Sequence, residues 1–358
     1  MGFCRFLLAL SVLLVHLEVP VAFSGFGGAN SVEAFYFVSG FLIASILRND
    51  YQSWKNFYIN RILRIFPMYW IVLLCTFLFA FLFSNGSNFL TKNEAPSFEV
   101  VQYAFIVLLN LFILGADVLV FLNFEALGNV NFVGFKNSQV TGTEYLLISP
   151  IWSVSLELTF YLIAPLLMKL SSRKILIVTL VLLITRIALY LSQIDDDPWT
   201  YRFFPFELPI FLMGVLVSRF SYSKIGSERG AFMLKLASHP LFFTIAFLAF
   251  GIYRSKVSFP RPLELFVLLF IISIILIYSK NGEPSNSIGR YSYPIYIVHY
   301  PVIFFLQDYR ESFLSNFATG NTSNTSWIVL QILVVIILSH FLIAITLPIE
   351  KIRNRLRS

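Results

Sequence analysis

Long apolar runs alternate with short polar stretches along the whole chain. A helix that crosses a bilayer needs about 20 mostly apolar residues, and eleven segments approach or reach that length. No linker, internal repeat or low-complexity tract separates them. The pattern therefore predicts a single all-α polytopic membrane domain over residues 1–358. The segments are residues 6–22, 31–48, 66–84, 101–121, 150–169, 174–191, 203–220, 240–253, 263–279, 291–307 and 327–349.

The charges between the segments predict how they cross the membrane. The basic stretches are the N-terminus, residues 48–64, 173–174, 219–239 and 280–290, and the tail 351–357. Because cytoplasmic loops are enriched in Lys and Arg, both termini are expected to be cytoplasmic. This assignment requires an even number of crossings between Arg64 and Arg173, where three apolar segments lie.

One of these three segments is therefore expected not to cross. Segment 101–121 is the best candidate, because Asn110, Gly115 and Asp117 interrupt it. A re-entrant or interfacial piece of this kind is allowed where protein covers its backbone. The predicted fold has about ten transmembrane helices plus this segment. The exceptions to the charge pattern are three basic residues that fall on the outer side, Arg254, Lys256 and Arg261.

The composition agrees with a membrane protein and excludes other classes. Hydrophobic residues make up 58% of the chain and charged residues 13%, whereas ordinary soluble domains are about 45–50% apolar and about 25% charged. The basic loops account for the net charge of +7, so the expected partner is the lipid bilayer and not nucleic acid. Cys4 and Cys75 give neither a disulfide framework nor metal-ligand spacing. No metal and no bound cofactor are expected.

The first segment could be a cleaved signal peptide, since Arg5 precedes a short hydrophobic core. His16 and Glu18 interrupt that core and favour a retained helix. His16 would lie about ten residues into this helix, near the membrane midplane if the helix enters from the cytoplasm. An ionisable group there is a candidate functional residue, and histidine can take and return a proton near neutral pH. The alternative is a packing histidine bonded to a neighbouring backbone group or hydroxyl.

Further ionisable residues lie close to His16 in the sequence. Glu33 opens the second segment and could orient His16, as a carboxylate orients the base of hydrolytic triads. The alternative is an N-terminal carboxylate that interacts favourably with the dipole of its own helix. Arg61 and Arg64 share one face of a helix and suit an anion such as phosphate, and Arg5 could join them. The alternative is that these arginines only set the membrane topology and contact anionic lipid.

Segment 150–169 opens with polar and aromatic residues. It contains Trp152, Ser153, Glu157 and Tyr161, and carboxylate, hydroxyl and aromatic groups together suit a sugar hydroxyl. A glutamate in this position is not expected to face lipid. The alternative is an aromatic belt with one polar contact between helices.

His299 lies between Pro294 and Pro301, near the middle of segment 291–307. The prolines predict a kinked helix whose freed carbonyl groups need partners. Since the chain has four histidines, a second one inside an apolar segment indicates a site, and we assign His299 to the candidate acceptor side.

Several sequence blocks together resemble a known family. The blocks are Arg5–His16, Val32–Ile43, Phe57–Tyr69, and the pair Trp152–Pro165 and Ser292–His299. In order and spacing they resemble the membrane-bound acyltransferase-3 family, which includes O-antigen and other surface-polysaccharide O-acetyltransferases. The resemblance implies a ten-helix bundle, which in a bacterium would lie in the inner membrane. Ala34 and Tyr36 depart from the family's pattern, and the extracytoplasmic hydrolase-like domain of some members is not expected in this sequence.

The resemblance also implies an activity and residue roles. An acyl group would pass from cytoplasmic acyl-CoA, the co-substrate, to a saccharide hydroxyl at the outer face. His16 would be the catalytic histidine, Arg5, Arg61 and Arg64 would attend the CoA phosphates, and Glu33 and Glu157 would support the acceptor side. The hypothesis is transfer of an acetyl or other short acyl group, with His16 as general base or transient acyl carrier.

Two other function classes compete with this hypothesis. A transporter or flippase for a lipid-linked sugar or small anion is one, because buried His and Arg also suit proton-coupled carriers. Such folds usually contain inverted repeats, and none is visible in the sequence. A non-catalytic scaffold is the other, and it leaves the ionisable residues of the apolar segments unexplained.

Overall fold

The computed structural model describes residues 2–49, 53–83, 99–124, 130–132, 142–192, 197–223, 240–257, 260–278, 285–311, 313 and 322–356. These residues are almost entirely helical, with one short antiparallel β-hairpin. The helices are α1 Gly2–His16, α2 Gly28–Asn49, α3 Trp54–Phe83, α4 Val100–Phe112, α5 Ile151–Leu167, α6 Ser172–Leu191, α7 Phe204–Ser223, α8 Pro240–Lys256, α9 Arg261–Tyr278, α10 Ser285–Gly289, α11 Ser292–Gln307 and α12 Thr322–Arg355. The strands are β1 Leu122–Phe124 and β2 Val130–Phe132.

Several helices are suited to a membrane. Five stretches are long and apolar enough to cross one, Val21–Arg48, Trp54–Leu82, Ser172–Leu191, Phe204–Ser221 and Asn324–Arg355. Shorter apolar helices cover Gly2–His16, Val100–Phe112 and Ile151–Leu167. The helical class predicted from the sequence is confirmed. The number of ten crossings and the cytoplasmic position of both termini stay predictions.

The described residues fall into two compact units, and each is described by itself. The terminal unit combines Met1–Ser45 with Gly214–Arg355, and the middle unit consists of Ile46–Met213 with Leu356–Ser358. In the terminal unit, α1 packs against α8, α10 and α11, and α11 also packs against α12. In the middle unit, α5 packs against α3 and against a 3₁₀ segment at Ala116–Phe121.

Helix α1 ends earlier than the apolar pattern predicts. The sequence predicts a helix through Ala22 with His16 inside it, whereas the helix ends at His16 and the His16 side chain is exposed. Glu18 adopts a left-handed backbone conformation with φ 55°. Pro20 follows, and proline cannot supply the N–H that a continuing helix needs. The expectation that His16 lies inside a continuous helix is therefore wrong.

Segment 101–121 is not one continuous helix. Helix α4 stops at Phe112, and the chain turns through Ile113 and Gly115, whose φ angles are 63° and 84°. Asn110 bonds the loop beyond it, because its Nδ2 donates to the Tyr145 carbonyl (2.9 Å) and its Oδ1 accepts from the Leu147 N–H (2.9 Å). Within the turn itself, the Gly115 N–H donates to Ser155 Oγ at 2.9 Å. The re-entrant or interfacial position of this segment stays a prediction.

Candidate active site

The terminal unit brings two histidines together. His16 ends α1 and His299 lies in α11, and their ring centroids are 5.0 Å apart with an angle of 56° between the ring planes. The two rings differ in their surroundings, since the His299 residue is 0% exposed and the His16 residue is exposed. The predicted catalytic histidine therefore has a second, buried imidazole beside it.

The hydrogen bonds of both rings define which nitrogen carries the proton. The Nδ1 atom of His16 lies 2.8 Å from the Val12 carbonyl oxygen, and that of His299 lies 3.1 Å from the Ile295 carbonyl oxygen. A carbonyl oxygen only accepts, so Nδ1 is the donor in each neutral ring and Nε2 carries the lone pair. The His299 Nε2 atom is buried and has no hydrogen-bond partner among the described residues.

Aromatic side chains surround the histidine pair. The Tyr296 ring lies 5.8 Å from His299 and also contacts Phe35 of α2, with 6.0 Å between the centroids. Tyr300 packs edge-on against His16 at 6.3 Å. These rings connect α2 and α11 beside the pair and give it a largely apolar environment.

Glu33 is fully buried and forms an ion pair that the sequence did not predict. Its Oε2 atom lies 2.9 Å from Nη2 of Arg261, in the first turn of α9. One turn earlier on α2, the Asn30 Nδ2 atom donates to Glu264 Oε2 at 3.0 Å. Arg254, in the last turn of α8, also lies 3.3 Å from that Glu264 oxygen through its Nε atom. The start of α2 therefore carries a polar cluster that joins three helices.

Arg5 lies at the other end of α1 from His16. Their separation of eleven positions corresponds to about 16 Å along a helix axis, and the Arg5 side chain is half-buried. The two predicted site residues on this helix are thus well separated, and the CoA role predicted for Arg5 stays a prediction.

The middle unit holds Arg61 in a buried aromatic setting. Arg61 is 2% exposed, and its guanidinium carbon lies 5.6 Å from the centroid of the Phe57 ring and 5.8 Å from that of the Tyr161 ring. Its Nη2 donates to Asn60 Oδ1 at 3.2 Å. The Nε and Nη1 atoms are buried and have no hydrogen-bond partner among the described residues. Burying a charged group in this way is costly unless it is paired, so the setting favours an anionic ligand.

Glu157 and Tyr161 lie with this arginine. The Tyr161 hydroxyl donates to Glu157 Oε1, and the Tyr161 ring contacts Arg61. Arg64 is half-buried on the same helix face as Arg61 and acts electrostatically on the Tyr161 hydroxyl. The sequence assigned Glu157 and Tyr161 to the acceptor side, whereas the structure groups them with the arginines predicted to bind the donor.

Trp152 and Ser153 lie at the other end of α5. The Arg202 guanidinium carbon stands 4.5 Å from the Trp152 ring centroid, and the Tyr201 ring packs against Trp152 at 5.3 Å. Ser153 donates to the Pro150 carbonyl at 2.9 Å. The nine residues from Trp152 to Tyr161 correspond to about 14 Å along the helix. Within the middle unit, the predicted acceptor residues Trp152 and Ser153 therefore lie apart from Glu157 and Tyr161.

Comparison with known proteins decides the family. The family model described as an acyltransferase domain, acyltransferase-3, matches residues 1–345. The chain belongs to the acyltransferase-3 family. A curated relative from Bacillus subtilis (strain 168), named "Putative peptidoglycan O-acetyltransferase YrhL", is 27% identical over 330 residues. The match covers 82% of this chain and 46% of the relative, so the chain spans about half the length of the curated relative it matches. No solved structure matches the chain significantly.

Membership in the acyltransferase-3 family confirms the resemblance seen in the sequence blocks. The structure adds residues that those blocks did not single out, namely Asn30, Arg254, Arg261 and Glu264. Two of them stand out in the sequence, because Arg254 and Arg261 are basic residues that fall on the predicted outer side of the membrane. Arg254 forms an ion pair with Glu264, and Arg261 forms one with Glu33. These ion pairs explain the position of both arginines without a role in membrane topology. No group of three or more His, Cys, Asp or Glu side chains within the described ranges could hold a metal ion.

Proposed function

We propose that this protein is an integral-membrane O-acyltransferase of the bacterial inner membrane. It takes an acetyl or other short acyl group from cytoplasmic acyl-CoA and transfers it to a hydroxyl of a cell-surface or lipid-linked saccharide. Family membership supports acyl transfer, and the name of the Bacillus subtilis relative makes peptidoglycan the first acceptor to test. The observation that carries the proposal is the histidine pair, since it supplies a base whose reactive nitrogen is unprotonated.

His16 is the general base in this proposal. Its Nε2 atom takes the proton of the acceptor hydroxyl while the hydroxyl oxygen attacks the thioester carbonyl carbon. The carbon–sulfur bond then breaks, and the CoA thiolate takes the proton back from His16, so the base is regenerated. The bond from Nδ1 to the Val12 carbonyl holds the ring and its tautomer throughout.

His299 stabilises the protonated form of His16. Its Nε2 atom accepts hydrogen bonds, yet no described residue donates one to it. Protonation of His16 creates a positive charge on the neighbouring ring, 5.0 Å away between the ring centroids, and the Nε2 lone pair of His299 attracts that charge. This interaction exists only once the proton has moved, and interactions of that kind lower the barrier of the chemical step. His299 is thus a positioning residue that acts through His16.

Arg61 binds an anionic part of the donor. The guanidinium lies beside the edge-to-face pair of the Phe57 and Tyr161 rings, and two of its buried nitrogens have no hydrogen-bond partner among the described residues and can bind a ligand. Guanidinium groups bind phosphate oxygens through charge-assisted hydrogen bonds, and CoA carries several phosphates. Arg64 adds positive charge on the same face, while Glu157 and Tyr161 hold the aromatic wall in place. The CoA role of Arg5, in the terminal unit, stays a prediction from the sequence.

We assign Glu33 to the acceptor side of the terminal unit, and the acceptor roles of Trp152 and Ser153 in the middle unit stay predictions from the sequence. Arg261 orients the Glu33 carboxyl group through the 2.9 Å contact with its Oε2 atom. A buried carboxylate with a defined partner can orient a neutral hydroxylated substrate without attracting anions.

The test uses purified protein in detergent with acetyl-CoA and peptidoglycan glycan fragments. We expect acetyl groups to appear on the glycan together with free CoA, and both products to be lost in His16→Ala. His340→Ala is the matched control, because His340 is an exposed histidine that bonds the Tyr291 hydroxyl at 2.7 Å. Folded wild-type protein that releases no CoA with any saccharide would overturn the proposal and favour a carrier.

A further inference from the structure

The polar cluster at the start of α2 contains atoms whose hydrogen-bonding capacity is unused. Asn30 and Arg254 both reach the same Glu264 oxygen, at 3.0 Å through Nδ2 and 3.3 Å through Nε. The Asn30 residue is 4% exposed, and its Oδ1 atom has no hydrogen-bond partner among the described residues. The Arg254 Nη1 atom is likewise buried without an acceptor in the described ranges. One buried acceptor and one buried donor therefore lie on side chains held at the same carboxylate.

The charges of the cluster are already balanced. Glu264 has Arg254 as its partner, and Glu33 has Arg261. A further ion would leave one charge uncompensated in a partly buried site, which is costly. A neutral group that both donates and accepts fits better. A hydroxyl group has these properties, because it donates through its hydrogen and accepts through its oxygen lone pairs.

The cluster is close to the candidate base and is open on one side. A Cβ atom at Gly28 would be 3.5 Å from Cγ1 of Val15, the residue before His16. The start of α2 thus packs beside the end of α1. The Arg254 and Arg261 side chains are 23% and 39% exposed, respectively. The cluster therefore has a closed end at Asn30 and an accessible end at the arginines.

Gly27 makes room for this arrangement. The Arg254 guanidinium occupies the space that a Cβ atom at Gly27 would need, and Gly27 has a φ of 81°. Glycine adopts this left-handed conformation without steric cost. The turn before α2 thus lets the arginine lie directly against the backbone.

We propose that Asn30 and Arg254 form a subsite for a hydroxyl group of the saccharide acceptor. The Arg254 Nη1–H donates to the hydroxyl oxygen, and the hydroxyl hydrogen is donated to Asn30 Oδ1. Glu264 does not contact the ligand; it positions both side chains. The inference rests on the proposed function, and it names residues that select a polyhydroxylated acceptor beside His16.

The subsite is tested by separating acceptor kinetics from donor kinetics. The variant Asn30→Ala removes one ligand hydrogen bond, and such a loss corresponds to about a 10-fold rise in the KM for peptidoglycan glycan fragments. The KM for acetyl-CoA should not change. Arg254→Lys should raise the same KM, and the double variant should show less than the product of both effects, because the two residues bind one hydroxyl.

Arg290→Gln is the matched control, since Arg290 pairs with Glu350 in the same unit at 3.6 Å. If the KM for the acceptor is unchanged in both Asn30→Ala and Arg254→Lys, the proposed subsite is wrong. The cluster would then bind water only. Binding of the glycan fragments, measured as protection against thermal unfolding, gives a second readout that needs no turnover. Protection of the wild type that is lost in Arg254→Lys supports the subsite even if acetyl transfer fails, whereas no protection of the wild type overturns it.

Discussion

The ring centroids of His16 and His299 lie 5.0 Å apart, and each ring is held by the carbonyl group four residues earlier on its own helix. Both rings therefore have an unprotonated Nε2 in the neutral state, and neither can donate to the other from that atom. In the proposed mechanism, a proton taken up by His16 places a positive charge beside the His299 ring, whose Nε2 atom is buried and has no donor among the described residues. The pair thus favours the protonated base over the resting one.

Replacing His299 should slow the chemical step without weakening substrate binding. We expect His299→Phe, which keeps an aromatic ring but has no acceptor, to lower kcat about 10- to 100-fold, because a hydrogen bond to a charged group contributes about 1.5–3 kcal/mol. His299→Gln keeps an acceptor oxygen and should recover part of the loss. Steady-state kinetics with acetyl-CoA and glycan fragments measure both parameters.

His340→Phe is the control for this series and should retain wild-type kcat. A rise in the KM of either substrate with unchanged kcat in His299→Phe would show that His299 binds substrate directly. That result, or no effect at all, would contradict a role through His16.

Replacing Arg61 should weaken donor binding. Arg61→Gln removes the buried charge, and we expect the KM for acetyl-CoA to rise about 10- to 100-fold, corresponding to one or two charge-assisted hydrogen bonds. Arg61→Lys should be intermediate, because lysine keeps the charge but lacks the planar, forked donor geometry that binds phosphate oxygens in pairs. Isothermal titration with CoA separates binding from turnover.

Arg173→Gln serves as the comparison, since Arg173 is an exposed arginine in the first turn of α6. If both variants change the KM for acetyl-CoA equally, the arginines contribute only general positive charge, and the specific role of Arg61 is wrong.

The Glu33–Arg261 pair should contribute to stability as well as to the site. Arg261→Gln leaves a buried carboxylate without this partner. We expect a loss of about 1–3 kcal/mol in the free energy of unfolding, less than for a fully buried pair, because the Arg261 side chain is 39% exposed. A double-mutant cycle with Glu33→Gln, followed by thermal unfolding in detergent, measures the coupling. Additive effects of the two substitutions would show that the pair contributes nothing specific.

A tight glycine contact predicts a stability effect independent of the chemistry. A Cβ atom at Gly214 of α7 would overlap the backbone carbonyl oxygen of Phe37 in α2. We expect Gly214→Ala to destabilise the protein by about 2 kcal/mol or more, since overpacking against backbone cannot be relieved by a side-chain rotation. Gly28→Ala is the control, because the Cβ there would meet Val15 at an ordinary 3.5 Å. Equal thermal midpoints for the two variants would contradict the close approach of α2 and α7.

The sequence alone was sufficient to locate the helices and the family. Hydropathy is a local property, so most apolar segments coincide with a helix within the described residues, and the motif blocks by themselves indicate the acyltransferase-3 family. The broken segment 101–121 was also visible, because Asn110, Gly115 and Asp117 are poorly suited to a continuous apolar helix. The pattern missed the end of α1 at His16, where the Glu18 conformation and Pro20 override the apolar run.

Tertiary structure alone decided which of the candidate residues meet. Glu33 pairs with Arg261, 228 positions away in the chain, and no local pattern contains that information. In the same way, Tyr161 lies with Arg61 and not with Trp152, because the length of α5 separates the two ends of one motif. Which residues contact each other depends on the packing of helices that are distant in the sequence. Burial then determines which polar atoms are left without a hydrogen-bond partner. The sequence therefore determined the chemistry that is present, and the fold determined how it is grouped.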